Sequence, residues 1–245
     1  MESAPKDILF SIAMNLELPS LLNWCKSNSR INRNVCQNNF VWRSKLLKDF
    51  PDYQKFGLER SLRETYVFLY QLALIRKLLN TNETLYDIFL RKELDLSGKE
   101  LEKIPAFDLP NLKELNLSNN LLTHVPTFTL PNLRGLYLSN NQLREVPSFN
   151  LPKLGRLDLQ NNRLTKVPVF YLPNLGGLYL YNNQLTEVPV FNFPNLEALD
   201  LSRNLLTDVP PFTLPKLQML YLYKNYLTEI SKKELKQRYK NRVKI

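Results

Sequence analysis

One block of 21 residues is written seven times between residues 88 and 231, starting at 88, 109, 130, 151, 172, 193 and 214. The third copy, LPNLRGLYLSNNQLREVPSFN, differs from its neighbours at few positions. A unit this short cannot enclose a core, so the copies must stack and bury their leucines against one another. Each follows L-x-x-L-x-L-x-x-N-x-L-x-x-V-P-x-F-x, as in Leu112, Leu115, Leu117, Asn120, Leu122, Val125, Pro126 and Phe128. The x-L-x-L-x alternation is that of a strand with one buried face, and stacking lines such strands up into one parallel sheet.

The remaining fixed letters have separate tasks. Asn120, Asn141, Asn162, Asn183, Asn204 and Asn225 follow the strand where the chain turns inward. A buried amide there satisfies the backbone of adjacent turns, whereas leucine would strand groups at roughly 1–3 kcal/mol each. Thirteen of the sixteen prolines lie in the repeats, which makes the return leg extended or tightly turned. Phe107, Phe128, Phe149, Phe170, Phe191 and Phe212 recur at one position and are expected to stack as a spine behind the sheet. The end units depart from the pattern at Phe89, Lys99 and Ile230–Ser231, as units with one neighbour do when they are capped.

These motifs resemble the leucine-rich repeat family over about 140 residues. The resemblance implies a curved solenoid with the sheet on its concave side. On that side one free column runs Asp95, Asn116, Tyr137, Asp158, Tyr179, Asp200, Tyr221, and the next runs Ser97, Ser118, Ser139, Gln160, Tyr181, Ser202, Tyr223. Small residues flank the tyrosines at Gly135, Gly176 and Gly177, and Arg156 and Arg203 add charge. Tyrosine and arginine are enriched in interface hot spots. The candidate partner-binding residues are therefore Tyr137, Tyr179, Tyr181, Tyr221, Tyr223, Asp158, Asp200, Arg156 and Arg203. Two plainer readings stand beside this one: tyrosine suits an exposed strand, and the Tyr/Asp alternation is what a duplicated pair of units leaves behind.

Residues 1–52 do not repeat. Pro5 begins a helix carrying Ile8, Leu9, Ile12 and Leu16, and short apolar-periodic helices follow. Pro5-Lys6-Asp7-Ile8-Leu9, Leu18 with Leu21 and Leu22, Ser29-Arg30, and Trp42-Arg43 through Asp49-Phe50-Pro51 resemble an F-box. Ala4 and Ile31 depart from that pattern. The resemblance implies docking to a Skp-type adaptor of a cullin–RING ubiquitin ligase through Pro5, Ile8, Leu9 and Ile12. The pairing with repeats is similar to F-box proteins of large DNA viruses. The alternative for this segment is a plain helical cap on the solenoid.

Residues 53–87 contain a helix with capping-box spacing at Ser61 and Glu64, apolar on nearly all sides and expected to be a buried, stiff connection. Residues 232–245 place Leu235, Tyr239 and Val243 on one helical stripe, which reads as a capping helix or as a contact for RNA or anionic membrane. Residues 231–245 carry seven basic groups and one acidic, whereas residues 91–230 carry 14 and 13. A nearly neutral body does not point to a polyanion partner, so nucleic acid is not expected.

No enzyme chemistry is legible. His124 is the single histidine, and no phosphate-binding glycine motif occurs. No catalytic residue, metal ligand or cofactor is expected. Cys25 and Cys36 make no disulfide framework, which points to a reducing compartment. No apolar run is long enough for a membrane span, and the N-terminus lacks a signal pattern. The expectation is an α+β chain in four parts: an F-box-like helical bundle at 1–52, connecting helices at 53–87, leucine-rich repeats at 88–231 and a basic capping helix at 232–245. It is expected to act in the cytoplasm (the host's, if viral), as a monomer outside its complex, receiving a client protein for a ubiquitin ligase. The alternatives are a stand-alone binding scaffold with no ubiquitin link, or nucleic-acid association through the basic tail.

Overall fold

The computed structural model describes residues 6–27 and 29–245. The chain divides into two compact units, one ending at Ile88 and the other spanning Phe89–Ile245.

The first unit is helical. Helices α1 (Lys6–Asn15), α2 (Leu18–Ser27) and α3 (Ser29–Ile31) lead into a π-helical turn at Asn32–Cys36, then α4 (Asn39–Asp49) and α5 (Leu62–Leu79). Leu9, Ala13, Leu21, Val35, Trp42, Leu46, Leu69 and Leu72 form its core. The Trp42 indole donates to the Cys36 carbonyl at 2.9 Å. Buried Lys45 pairs with Asp49 at 3.2 Å, and Asp49 also accepts from the Tyr66 hydroxyl at 2.6 Å. Removing one partner of such a pair would leave a charge uncompensated. Burial and the Asp49 carboxylate together push the Tyr66 hydroxyl far above its ordinary pKa. The capping box expected at α5 is present: Ser61 Oγ accepts from the Glu64 N–H, and the Glu64 carboxylate accepts from the Ser61 N–H. Cys25 and Cys36 are joined as a disulfide, contrary to expectation, and the pair therefore gives no support to a reducing compartment. It arises because the π-helical turn packs back on α2.

The second unit begins within a short helix, α6 (Leu85–Leu90), and builds one eight-stranded parallel sheet in chain order. Its strands are β1 (Glu93–Asp95), β2 (Glu114–Asn116), β3 (Gly135–Tyr137), β4 (Arg156–Asp158), β5 (Gly177–Tyr179), β6 (Ala198–Asp200), β7 (Met219–Tyr221) and β8 (Val243–Lys244). The register advances by one repeat per strand, Leu94 against Leu115 and so on to Leu199 against Leu220. Every central leucine is at most 1% exposed. The phenylalanine spine forms, with ring centroids 5.5 Å apart for Phe107–Phe128, 6.4 Å for Phe128–Phe149 and 5.9 Å for Phe149–Phe170.

Beyond the last repeat, α7 (Glu229–Tyr239) is capped by Thr228, whose hydroxyl accepts from the Ser231 N–H. Leu235 and Tyr239 are buried, and the Tyr239 hydroxyl accepts the Phe212 N–H at 3.3 Å. Val243 is buried too, but not on the helical stripe expected for it. The helix stops at Tyr239, and Val243 enters β8 opposite Leu220. The open edge of β7 is thereby paired, and an unpaired edge is what a parallel solenoid must avoid.

Asparagine makes the stacking specific. Asn162 is typical: its Oδ1 accepts the Leu143 N–H of the preceding unit at 3.0 Å. Its Nδ2 faces the carbonyls of Leu138, Leu159 and Gln160 at 2.9, 3.1 and 3.2 Å. Asn141, Asn183 and Asn204 repeat this set of partners. The residue just before each ladder asparagine lies in the left-handed region, with φ of 57°, 55°, 54° and 54° at Asn119, Asn140, Asn161 and Asn182. Gly98 holds the same place with φ 62°. Glycine and asparagine tolerate this conformation, whereas other residues pay about 1 kcal/mol or more. The four asparagine amides form a second, outer ladder, in which Asn140, Asn161 and Asn182 each donate to the one before at 2.8–2.9 Å. It stops at Asn182, because Arg203 (φ 52°) and Lys224 (φ 56°) occupy the next two places.

Replacing Asn162 with alanine leaves four backbone groups of two units without their side-chain partner. The expected loss is about 3 kcal/mol or more, read by urea denaturation; a loss below about 1 kcal/mol would mean that the ladder is incidental.

Candidate functional site

Because Leu115, Leu136, Leu157, Leu178, Leu199 and Leu220 point into the core, the residues flanking each on the strand point to the other sheet face. Pairing sets Asn116, Tyr137, Asp158, Tyr179, Asp200 and Tyr221 side by side in one row, and β8 adds Lys244 next to Tyr221. Tyr137, Tyr179, Tyr181 and Tyr221 are half-buried, and Tyr223 is exposed.

Arg156 organises the centre of this face. Its guanidinium carbon lies 4.1 Å from the Tyr179 ring centroid and 5.9 Å from that of Tyr137. It also donates to the Tyr179 hydroxyl at 3.3 Å. A cation over an aromatic face gains roughly 0.5–1 kcal/mol at exposed sites, and the stack limits the rotamers of a long side chain. The glycines explain how the rings get there. In β3 and β5 each tyrosine folds back over the glycine two residues before it. A Cβ on Gly177 would stand 2.9 Å from Tyr179 Cε2, and one on Gly135 would stand 2.9 Å from Tyr137 Cε2. The Glu114 carboxylate also occupies the space over Gly135. Tyr221 folds back in the same way, its hydroxyl 3.0 Å from the Met219 sulfur. Burial, and then the negative charge of Glu114, push the Tyr137 hydroxyl above its ordinary pKa.

Asp158 does not stand out from this face as the strand alternation implies. It is only 5% exposed, with Arg156 Nη2 at 3.7 Å and the Gln160 N–H donating to it at 3.2 Å. Burial raises its pKa, against the opposing pull of that N–H and of Arg156. Strand pairing sets Tyr137 and Tyr179 on either side of it, a cross-strand setting that no single repeat reveals. Asp200 is half-buried, and its carboxylate is held by the Ser202 hydroxyl at 2.6 Å and the Ser202 N–H at 2.9 Å. Arg203 is exposed, with its guanidinium 5.5 Å from the Tyr181 ring centroid. Its left-handed backbone (φ 52°) is not evident from its own letter, although the Gly/Asn column leading to it carries that signal.

In the helical unit the four adaptor candidates separate. Pro5 lies outside the described residues. Ile8 is 50% exposed, Ile12 is half-buried, and Leu9 is 1% exposed in the core, so Leu9 has no surface to offer. Phe40 is exposed and packs on Phe10 with centroids 5.4 Å apart. Among the described residues no group of three His, Cys, Asp or Glu side chains is placed to hold a metal. His124 is exposed beside Thr123. Among the described residues no helix is long and apolar enough to cross a membrane.

Family models described as "Leucine Rich repeats (2 copies)" match residues 131–172, 173–213 and 194–237, and one described as "Leucine rich repeat" matches 92–143. Among solved structures, YopM from Yersinia enterocolitica WA-314 is 32% identical with a TM-score of 0.51, over 55% of this chain and 29% of that one. YopM from Yersinia pestis, described as a leucine-rich effector protein, is 24% identical with a TM-score of 0.50, over 75% of this chain and 48% of that one. The chain thus spans less than half the length of either. No curated protein matches it significantly.

Two substitutions test the geometry. Gly177→Ala is expected to push the Tyr179 ring off Arg156 while changing stability by less than about 1 kcal/mol, since the crowded atoms end a flexible side chain. Proton NMR reads this as loss of the ring-current shift on the Arg156 side chain; an unchanged shift contradicts the stack. Asp158→Asn exploits a folded-state pKa above the unfolded one. Ionising Asp158 then costs stability, with the penalty absent below its unfolded pKa and complete above its folded pKa. The variant is expected to melt at the same or a higher temperature than wild type at pH 7. That advantage should shrink as pH falls toward about 4; a variant clearly less stable at pH 7 contradicts the assignment.

Proposed function

The chain belongs to the leucine-rich repeat family, and we propose that it is a binding scaffold whose concave face captures another protein. The observation that carries this is the Tyr137–Arg156–Tyr179 stack with Arg203 on Tyr181: aromatic and guanidinium groups held rigid on a sheet, at the places where every repeat is free to vary. Rigid aromatic and arginine anchors lose little entropy on binding and dominate interface energetics. The groups assigned to the contact are Tyr137, Tyr179, Tyr181, Tyr221, Tyr223, Arg156, Arg203 and Asp200. Asp158, buried between Tyr137 and Tyr179 in the same row, is not among them.

A finer layer of the proposal concerns the helical unit: that it docks a Skp-type adaptor, making the chain a client receptor of a cullin–RING ubiquitin ligase in the cytoplasm. Its support is the F-box-like motif, together with an apolar surface on and beside α1 that includes exposed Ile8 and Phe40. The motif's Trp42 and Asp49 serve the fold of the unit. Docking therefore rests on Pro5, Ile8 and Ile12.

A photoreactive residue placed at Tyr181 or Tyr221 is expected to cross-link discrete proteins in the cells where this protein is naturally found. One placed at Thr127, exposed on a return leg, is expected to cross-link none of them; equal yields at both places would remove the concave face from consideration. For the helical unit, the purified protein is expected to form a complex with a Skp-type adaptor that Ile8→Asp abolishes without lowering the melting temperature. Absence of a complex with the wild type would reduce this unit to a helical domain with no ligase link.

A further inference from the structure

Two successive repeats give up a favourable residue for a cation at the same position. In the left-handed column the chain uses Gly98 and then four asparagines, and it ends with Arg203 and Lys224 in the same conformation. Asparagine at either place would remove backbone strain, and at Arg203 it would also extend the outer amide ladder, whose last step is Asn182 to Asn161 at 2.9 Å. Strain retained against such an easy alternative points to use. Both cations are exposed, one strand apart, and so about 4.8 Å from each other at the backbone. They edge the part of the sheet that carries Tyr221, Tyr223 and Met219, and β8 brings Lys244 into the same row as Tyr221.

Charge along the sheet is divided accordingly. At the β1–β2 end the strand residues flanking the leucines include Glu93, Asp95 and Glu114. At the β6–β8 end the carboxylates on and beside the strands, Asp200 and Glu197, are engaged by Ser202 and by the Gln218 amide. Arg203 is the cation best prepared for a carboxylate: it is exposed, its guanidinium lies over Tyr181 with 5.5 Å to the ring centroid, and a guanidinium presents paired N–H donors to a carboxylate.

We infer that the β6–β8 end of the concave face binds an acidic, extended segment of a protein partner, with Arg203, Lys224 and Lys244 taking its carboxylates and Tyr221 and Tyr223 its apolar groups. The inference rests on the proposed function, narrowing it to one end of the sheet and one chemistry. The acidic β1–β2 end repels the same segment and so fixes where along the solenoid it lies. A nucleic acid carries a phosphate at every step and has no counterpart to the apolar side chains that Tyr221 and Tyr223 would take.

The test uses the full-length protein and a fluorescein-labelled dodecapeptide alternating glutamate with tyrosine. Its controls are the glutamine-for-glutamate peptide and a single-stranded RNA of equal length, and fluorescence anisotropy reads binding. The glutamate peptide is expected to bind at least about tenfold more tightly than either control. Arg203→Asn/Lys224→Asn is expected to weaken it by about tenfold or more while melting at the same or a higher temperature, so lost binding cannot be lost folding. Equal binding of the glutamate and glutamine peptides, undiminished binding by the variant, or tighter binding of the RNA would each overturn the inference. If the peptide fails while cross-linking at Tyr181 persists, the charge assignment falls and the binding face stands; if both fail, both fall.

Discussion

The side-chain amide of the ladder asparagine is the interaction on which the repeat unit depends. A solenoid turns its backbone inward once per repeat, and the groups at that turn are cut off from water and from the sheet's own hydrogen bonds. Asn141, Asn162, Asn183 and Asn204 meet both needs at once, accepting one N–H and facing several carbonyls from two neighbouring units. Leucine burial supplies the larger driving force, yet it is non-directional and tolerates sliding. The amide does not, because a one-residue slip would leave its partners unpaired and buried. Register across the sheet follows from that, and so does the alignment of every column on the concave face.

Alignment turns small sequence choices into surface architecture. Glycine in β3 and β5 lets two tyrosines fold back, and arginine in the strand between them fills the gap they frame. Between these two tyrosines lies Asp158, a carboxylate that alternation would expose and that is instead buried. The same logic holds at the left-handed column. Four asparagines make it a ladder, and two cations at its end convert it into an edge of positive charge. In each case one position in a unit sets the function, while the unit's conformation stays that of its neighbours.

The period, the strands, the asparagine ladder and the phenylalanine spine were legible in the sequence, because each rests on one letter with one physical task repeated in every unit. The capping box of α5 was legible for the same reason, its two residues lying on the same turn. What escaped depends on groups brought together from separate parts of the chain. Asp158 is buried between tyrosines that come from the strands on either side. The Cys25–Cys36 bridge needs a π-helical turn that an eleven-residue separation does not announce. Val243 carried the right helical spacing, but an unpaired edge at β7 outweighed continued helix. Leu9 and Ile8 are adjacent apolar letters of one helix, and only packing decides that one is core and the other surface. The letters carrying the F-box resemblance include core residues such as Trp42, which is why that motif speaks to the fold of the helical unit more directly than to its docking.

Native-state hydrogen exchange at the Leu122, Leu143, Leu164 and Leu185 amides, each bonded to a ladder asparagine at 3.0 Å, tests the account most directly. If the ladder locks the repeats together, these four exchange with one shared opening free energy and are among the slowest amides of Phe89–Ile245. Independent exchange at four different rates, or exchange faster than at the strand amides beside them, would contradict it: the leucine core alone would then be holding the register.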